Sequence, residues 1–253
     1  MHLNDPEFPP LFTGHGVRAP LRPFTEAVKG AADGKYEAGD LVWARNTRVM
    51  DIAIVLEPEV TRERGYEILC AGAVALSDAL GAIAPPEIAI TWTWPHIILA
   101  NKARVGKLRL EFSPQTGDDG APLWLVLGVE ITISPDLAEP EPGLYVDRTT
   151  LYDEGCVELD RTMVMEAWSR HFLTWINTWS DEGFKPVHDA YLFRANGYRE
   201  EIQMEFDGRQ LSGTFIGLDD NGHMLLKTEN GVEQLHMEKA LRPGRRNAGE
   251  QGR

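Results

Sequence analysis

Apolar residues recur every three or four positions in two long segments, and this spacing predicts two amphipathic helices. The first extends from Arg64 to Leu80 and ends before Gly81. Its apolar face comprises Leu69, Ala73, Leu76 and Leu80. The apolar face of the second comprises Val164, Trp168, Phe172, Trp175 and Trp179. We expect these tryptophans to pack in the core rather than stack on a ligand, because large aromatics at helical spacing usually bury area. Shorter helices are predicted at residues 25–33 and, after the cap residue Gly183, from Phe184 to Arg194.

Short apolar runs predict a sheet around these helices. The predicted strands are residues 41–43, 51–56, 87–93, 97–99, 105–112 and 123–133. In the last of them, apolar side chains at every second position from Leu123 to Ile133 share one face, which is typical of a strand at the centre of a core. The pattern favours an α+β fold in which a mixed or antiparallel sheet packs against helices.

The chain changes character near its C-terminal end. From Glu201 to Leu241, turn signals such as Asp207-Gly208 and Asn221-Gly222 separate short strands, which predicts a small C-terminal β-barrel. Prolines and glycines at the start disfavour regular structure there. We therefore expect two domains with flanking segments: an extended lead-in (1–24), a core domain (25–196), the barrel (197–242) and a disordered tail (243–253).

The chain is acidic, with a formal net charge of −14, and nucleic-acid binding depends on Lys and Arg displacing counterions. We therefore expect no nucleic-acid partner. Cys70 and Cys156 form no C-x-x-C motif and have no His run beside them, which argues for a reducing compartment and against structural zinc. The start lacks the basic-then-apolar order of a signal peptide, and no apolar run reaches the roughly 18–20 residues of a membrane span. A cytoplasmic protein without a membrane partner is expected.

Common catalytic motifs are missing from the sequence. Gly14 to Ala19 matches G-x-G-x-x-A in form, but no strand is predicted before it and no helix opens after it, so dinucleotide binding is not predicted. The chain contains no G-x-x-x-x-G-K-[ST], H-E-x-x-H or G-x-S-x-G motif. His171, His223 and His236 stand apart from any catalytic partner, and we interpret them as structural.

One continuous stretch carries a family resemblance. Residues 93–111, T-W-P-H-I-I-L-A-N-K-A-R-V-G-K-L-R-L-E, resemble the biotin-protein ligase pattern K-W-P-N-D-[apolar]-x-x-x-x-x-K-[VLI]-[GA]-G-I-L-x-E without a gap. Residues 127–132 resemble that family's G-I-G-I-N strand, and residues 213–226 are similar to its C-terminal barrel. Lipoate-protein ligases are more distant relatives. The resemblance implies a ligase-like core and a small barrel, without the DNA-binding domain that some members have.

The resemblance also implies a chemistry and a set of site residues. ATP would activate biotin, lipoate or a related small carboxylate to an acyl-adenylate, and a lysine of a carrier domain would accept the acyl group, with Mg²⁺ balancing the phosphate charge. The family's lysine falls on Arg104, which is therefore the catalytic candidate. The ligand-binding candidates are Trp43, Arg45, Trp94, Pro95, His96, Asn101, Gly106, Lys107, Gly128 and Glu130. No metal-ligating residue is predicted.

Several of these positions depart from the family pattern. Where the family has a Gly-Arg-rich loop, the chain offers Asp40, with Arg45 and Arg48 as the local cations. Lys107 and Glu130 stand where the family has glycines that let a ligand approach the backbone. Two interpretations follow. A Lys107–Glu130 ion pair closes the pocket, or the two form a rebuilt polar pocket for a different carboxylate or amide ligand, together with Arg104, Arg109 and His96.

The functional hypotheses follow from these departures. The first is a divergent ligase-like protein with impaired or altered activity, in which Trp43 and Trp94 wall the site. The alternative is a non-catalytic protein that binds a small ligand or a carrier domain on the same fold. Acyl transfer through a cysteine is disfavoured, because Cys156 lies outside the matched motifs.

Overall fold

Eleven strands and six helices make up the part of the chain that the computed structural model describes, residues 4–136 and 147–242. The strands are β1 (Thr13–Val17), β2 (Asp40–Ala44), β3 (Val49–Leu56), β4 (Ile90–Thr93), β5 (Ile97–Ala100), β6 (Ala103–Phe112), β7 (Leu125–Thr132), β8 (Glu201–Phe206), β9 (Arg209–Leu218), β10 (Met224–Thr228) and β11 (Gly231–Leu235). The helices are α1 (Pro23–Ala32), α2 (Arg62–Gly65), α3 (Glu67–Ile83), α4 (Arg161–Glu182), α5 (Phe184–Arg194) and α6 (Met237–Leu241).

Seven strands form a mixed sheet in the order β1-β2-β3-β7-β6-β5-β4. β1 and β2 are parallel and the remaining neighbours are antiparallel, so the predicted α+β class is confirmed. The predicted strand at residues 87–93 begins only at Ile90. The predicted first helix is divided into α2 and α3 at Tyr66, and it continues to Ile83.

The lead-in holds a strand where none was expected. β1 pairs with β2 because its glycines allow a close approach: a Cβ on Gly16 would lie 2.8 Å from the Trp43 ring. A Cβ on Gly14 would lie 2.7 Å from the Phe8 ring. The G-x-G spacing is therefore explained by packing, because only residues without a side chain fit between these rings.

Helices α3, α4 and α5 cover one face of the sheet, and the tryptophan stripe of α4 faces α3. The indole N–H groups of Trp168, Trp175 and Trp179 donate to Gly72 O, Asp78 Oδ2 and Glu67 Oε2 at 3.3, 2.8 and 2.5 Å. Trp168 also stacks on Phe172, with ring centroids 5.0 Å apart. The expectation of core packing is confirmed, since each indole has both apolar contacts and a hydrogen-bond partner.

The stretch Arg62–Ile83 departs from the expectation that no segment resembles a membrane span. It has the length and hydropathy of one, but 78% of its most apolar window is buried inside the protein. In this structure it is the central helix of the core, since 13 residues of α3 are buried.

The C-terminal strands form a separate antiparallel sheet in the order β11-β10-β9-β8, where a small barrel was expected. Its β9–β10 loop enters the core domain, because Trp94 Nε1 donates to Gly222 O at 3.0 Å. Gly222 also lies against Cys70 and Phe184. The predicted tail at 243–253 and residues 137–146 of the Pro-rich connection lie outside the described residues.

Candidate functional site

Charged side chains gather on the sheet face that α1 partly covers, opposite the α3–α4 layer. The strand register places Asp51 of β3 opposite Glu130 of β7, and Glu130 opposite Lys107 of β6. The next row on the same face is Ala53, Gly128 and Arg109, since residues two apart along a strand share a face. We call this surface the α1 face and define it by Asp51, Ala53, Lys107, Arg109, Gly128 and Glu130.

Glu130 holds two cations on the α1 face. Arg109 Nη2 donates to Glu130 Oε2, and Lys107 Nζ lies 3.8 Å from Glu130 Oε1. The Lys107–Glu130 contact, one of the two alternatives that the sequence left open, is therefore present. These three side chains keep 26–31% of their surface exposed, so a small molecule in solvent reaches them.

Asp51 is the buried carboxylate of the α1 face. It is 9% exposed, and burial, followed by the charge of the facing Glu130, raises its pKa to about 6. Arg109, Arg22 and Lys107 act in the opposite direction from a distance. Its proton affinity thus depends on the same groups that would surround a ligand.

The ring of Phe24, in the first turn of α1, covers Gly128. A Cβ on Gly128 would lie 2.5 Å from this ring, so a glycine is required beneath it. The Arg109 guanidinium lies 5.5 Å from the centre of the same ring. Phe24 therefore occupies the surface that the glycine leaves open, and it borders the charged row.

Arg104 and His96 lie at the β5–β6 end of the α1 face. Arg104 pairs with Leu99 and Lys107 with Ile97, two positions apart on β5, so both cations project from one face. His96 Nδ1 is buried and has no hydrogen-bond partner within residues 4–136 and 147–242. Burial, followed by the charges of Arg104 and Lys107, lowers the pKa of His96 to about 4. Its imidazole is therefore neutral at neutral pH.

The structure places the two candidate tryptophans away from the α1 face. Trp43 is 2% exposed in the core on the opposite side of the sheet, where the Arg45 and Arg161 guanidinium groups flank its ring at 4.8 and 4.9 Å. Trp94 is 3% exposed and points to the C-terminal sheet through its bond to Gly222. Neither lies beside the charged row.

Four other candidates are engaged in local structure. Arg45 donates from both Nη atoms to Asp5, and the carbonyl of Pro95 accepts a bond from Tyr191 Oη at 3.2 Å. Asn101 forms a turn, where its side chain accepts from Ala89 N and donates to Glu154 Oε2. Gly106 is needed for close strand approach, since a Cβ there would lie 2.1 Å from Glu130 O.

An apolar cleft of about 500 Å³ lies beyond Phe24, toward the Phe112 and Trp124 end of β6 and β7. Val28 of α1 and Arg62 also line it. The Arg62 guanidinium covers the Phe112 ring and donates to Ser113 O at 2.6 Å. Phe24 also lines the cleft, so its ring is the wall between the cleft and the charged row.

Sequence reasoning missed Asp51, Arg22 and Phe24. Asp51 had a readable signal, because an acidic residue inside the apolar run of β3 is rarely buried without a reason. No sequence signal pointed to Phe24, because it stands at the end of a Pro-rich segment and its partner Gly128 is distant in sequence.

Two sequence profiles match the chain. That of the biotin/lipoate A/B protein ligase family matches residues 8–193, about three quarters of the chain. The chain belongs to this family. The profile of the biotin protein ligase C-terminal domain matches residues 200–237, so the second sheet is the C-terminal domain of a biotin/lipoate ligase family protein. The resemblance read from residues 93–111 is confirmed.

Curated relatives of this ligase-family chain are biotin ligases. It is 27% identical over 182 residues to biotin–[acetyl-CoA-carboxylase] ligase of Paracoccus denitrificans, covering 72% of this chain and 75% of the relative. It is 23% identical over 190 residues to the bifunctional ligase/repressor BirA of Bacillus subtilis, covering 73% of this chain and 55% of BirA. Together with the profile match, these relatives support a biotin-ligase-like function.

Solved structures agree on the fold. A biotin protein ligase-like protein of unknown function from Silicibacter sp. TM1040 has a TM-score of 0.82 and 35% identity, covering 93% of this chain and 98% of that one. The biotin protein ligase of Aquifex aeolicus in complex with biotin and ATP has a TM-score of 0.69 and 18% identity, covering 89% and 96%. At this identity the Aquifex structure shows the shared fold alone.

Side chains would have to move before the α1 face could accept an acyl-adenylate. Phe24 covers Gly128, and Glu130 holds the cations Arg109 and Lys107, which a phosphate would need. In the described part of the chain, no group of three or more His, Cys, Asp or Glu side chains is placed to hold a metal ion.

Proposed function

We propose that this ligase-family protein binds a small carboxylic acid on the α1 face and that its ATP-dependent acyl transfer is impaired or altered. The observation that carries the proposal is the combination of Glu130, held between Arg109 and Lys107, with Phe24 over Gly128. The charged cluster around Glu130 is reachable from solvent and offers polar contacts. The Phe24 ring reduces the space beside that cluster.

Arg104 and Lys107 are the proposed contacts for the acid. They project from one sheet face beside the neutral His96, so a carboxylate there meets two positive charges, while the imidazole adds no charge of its own. Arg104 would stabilise developing negative charge in whatever transfer activity the protein has. The planar guanidinium of Arg104 differs in shape from the compact ammonium group of the family's lysine, so the two do not make the same contacts.

Arg45, which stands where the family has its Gly-Arg-rich loop, points away from the α1 face. Arg45 is paired with Asp5 and stacked on Trp43, on the side of the sheet away from the α1 face. A nucleotide phosphate on the α1 face thus has one fewer cation to neutralise it, which supports weak adenylation.

The proposed partners follow the relatives. The Paracoccus relative is named as a ligase for acetyl-CoA carboxylase. We infer that any acceptor of this protein is a lysine on a biotinyl or lipoyl carrier domain. We further propose that it acts in the cytoplasm, without a nucleic-acid or membrane partner.

Replacing Phe24 by alanine tests whether this ring limits the site. We expect Phe24→Ala to tighten binding of a non-hydrolysable biotinoyl-adenylate analogue by about tenfold, because the ring no longer covers Gly128. Binding is measured by calorimetric titration, and biotin-dependent exchange of pyrophosphate into ATP is measured alongside it. The wild-type protein should exchange pyrophosphate slowly or undetectably.

Val28→Ala is the matched control, since Val28 is one turn later on α1 and lines the separate cleft. It should bind the analogue as the wild type does. Rapid exchange by the wild-type protein would contradict impaired activity. If neither the wild type nor Phe24→Ala binds biotin, lipoate or the analogue, the proposed carboxylate site is wrong.

A second candidate function is non-catalytic binding of a small ligand. The complementary fit of Phe24 and Gly128 favours it, because the family's open surface is filled by the protein's own ring. A protein that binds carboxylic acids but never exchanges pyrophosphate, even as Phe24→Ala, belongs to this class.

A further inference from the structure

Asp51 is a buried charge that lacks a direct partner. It is 9% exposed, and across residues 4–136 and 147–242 its carboxylate accepts no hydrogen bond and forms no ion pair. Arg22, Arg109 and Lys107 influence it only through space. Its oxygens are not among the fully buried unpaired atoms, so solvent still reaches them, and a molecule that brings a donor or a positive charge offsets the cost of this partial burial.

The surroundings of Asp51 increase this cost. Glu130 lies directly opposite on the adjacent strand, and like charges in that position repel each other. The nearby cations offset the repulsion only in part, because Arg109 and Lys107 contact Glu130 and neither forms an ion pair with Asp51. The β3–β7 side of the face therefore presents two carboxylates, one of them without a direct partner.

The other side of the face is positive. Lys107 lies in the same row on β6, and Arg104 is close to it near the turn to β5. The backbones of Asp51 and Lys107 are two strand spacings apart, a distance of about 10 Å. A single molecule with a cation at one end and an anion at the other matches this arrangement.

We propose that the ligand of the α1 face carries a protonated amine as well as a carboxylate, with the amine held by Asp51 and Glu130 and the carboxylate by Lys107 and Arg104. The inference rests on the proposed function and specifies its substrate class as short ω-amino carboxylic acids. Asp51 is then a specificity-determining residue, since it alone gains a direct partner when the amine binds.

Two matched ligand series test the inference. Calorimetric titrations compare 5-aminopentanoate and 6-aminohexanoate with pentanoate and hexanoate, using the full chain. We expect the amino acids to bind at least about tenfold more tightly than the plain acids of equal length, as a charge-assisted hydrogen bond to a buried carboxylate allows. Asp51→Asn should abolish this preference by lowering the affinity for the amino acids to that for the plain acids.

Glu111→Gln is the control variant, because it removes a carboxylate from the same strand as Lys107 but at an exposed position. It should keep the preference for the amino acids. Equal affinity for both series, or a preference that survives in Asp51→Asn, overturns the inference while the carboxylate site stands. If biotin, lipoate and both series all fail to bind, the proposed function is overturned as well.

Discussion

Replacing Trp94 by alanine is expected to lower the free energy of unfolding by about 3–5 kcal/mol, the usual range for removing a buried large aromatic. Trp94 is 3% exposed, and its indole forms a hydrogen bond between the core domain and the β9–β10 loop. Its loss leaves a cavity next to Phe206 and an unpaired carbonyl at Gly222. Urea unfolding followed by tryptophan fluorescence and circular dichroism measures the change.

Trp94→Phe separates the contribution of ring packing from that of the hydrogen bond to Gly222. It keeps most of the apolar ring and removes the indole N–H. We expect it to cost about 1 kcal/mol for the lost hydrogen bond, plus a smaller packing loss. A change below about 1 kcal/mol for Trp94→Ala would show that Trp94 does not connect the two sheets. In that case a role at the ligand site would regain support.

Replacing Asp51 by asparagine is expected to stabilise the protein above pH 7 by up to about 3 kcal/mol, the free-energy equivalent of raising a pKa from 3.8 to about 6. The folded state holds the Asp51 proton more tightly than the unfolded state does. The carboxyl therefore costs no stability below about pH 4, and the cost grows until the pH exceeds the folded-state pKa. The groups that face it are Glu130, Arg109, Arg22 and Lys107.

The measurement is urea unfolding of the wild type and Asp51→Asn from pH 4 to pH 8. The difference between the two proteins should be small at pH 4 and should reach its maximum above pH 7. His96 acts in the opposite direction, because its pKa is lowered to about 4 and its protonation in the unfolded state favours unfolding in acid. Comparing two proteins that both contain His96 cancels that contribution. A stability difference independent of pH would mean that Asp51 is not desolvated.

The sequence predicted those elements whose signals are local. α5 spans Phe184–Arg194 as expected, because Gly183 at φ +80° ends α4 and the apolar period restarts after it. β1 escaped prediction because its stability comes from the fit of Gly14 and Gly16 against rings that are distant in sequence. Local propensity contains no information about such a fit.

The site was predictable only in part, for a reason that lies in strand geometry. Family spacing selected Arg104, Lys107, Gly128 and Glu130 as candidates, and the register places them on one face. The same spacing does not reveal which of two alternating faces a side chain such as Trp43 takes. Asp51 and Phe24 reach the site through tertiary contacts across β3 and α1. These contacts exist only once the sheet has formed.

The central claim is that a small carboxylic acid binds on the α1 face. It is tested most directly by following backbone amide resonances of ¹⁵N-labelled protein during titration with 6-aminohexanoate and with the biotinoyl-adenylate analogue. We predict the largest shifts at Ala53, Lys107 and Gly128, with little change at Val28 and Arg62 of the apolar cleft. Shifts confined to the cleft, or no shift with either ligand, would contradict the account.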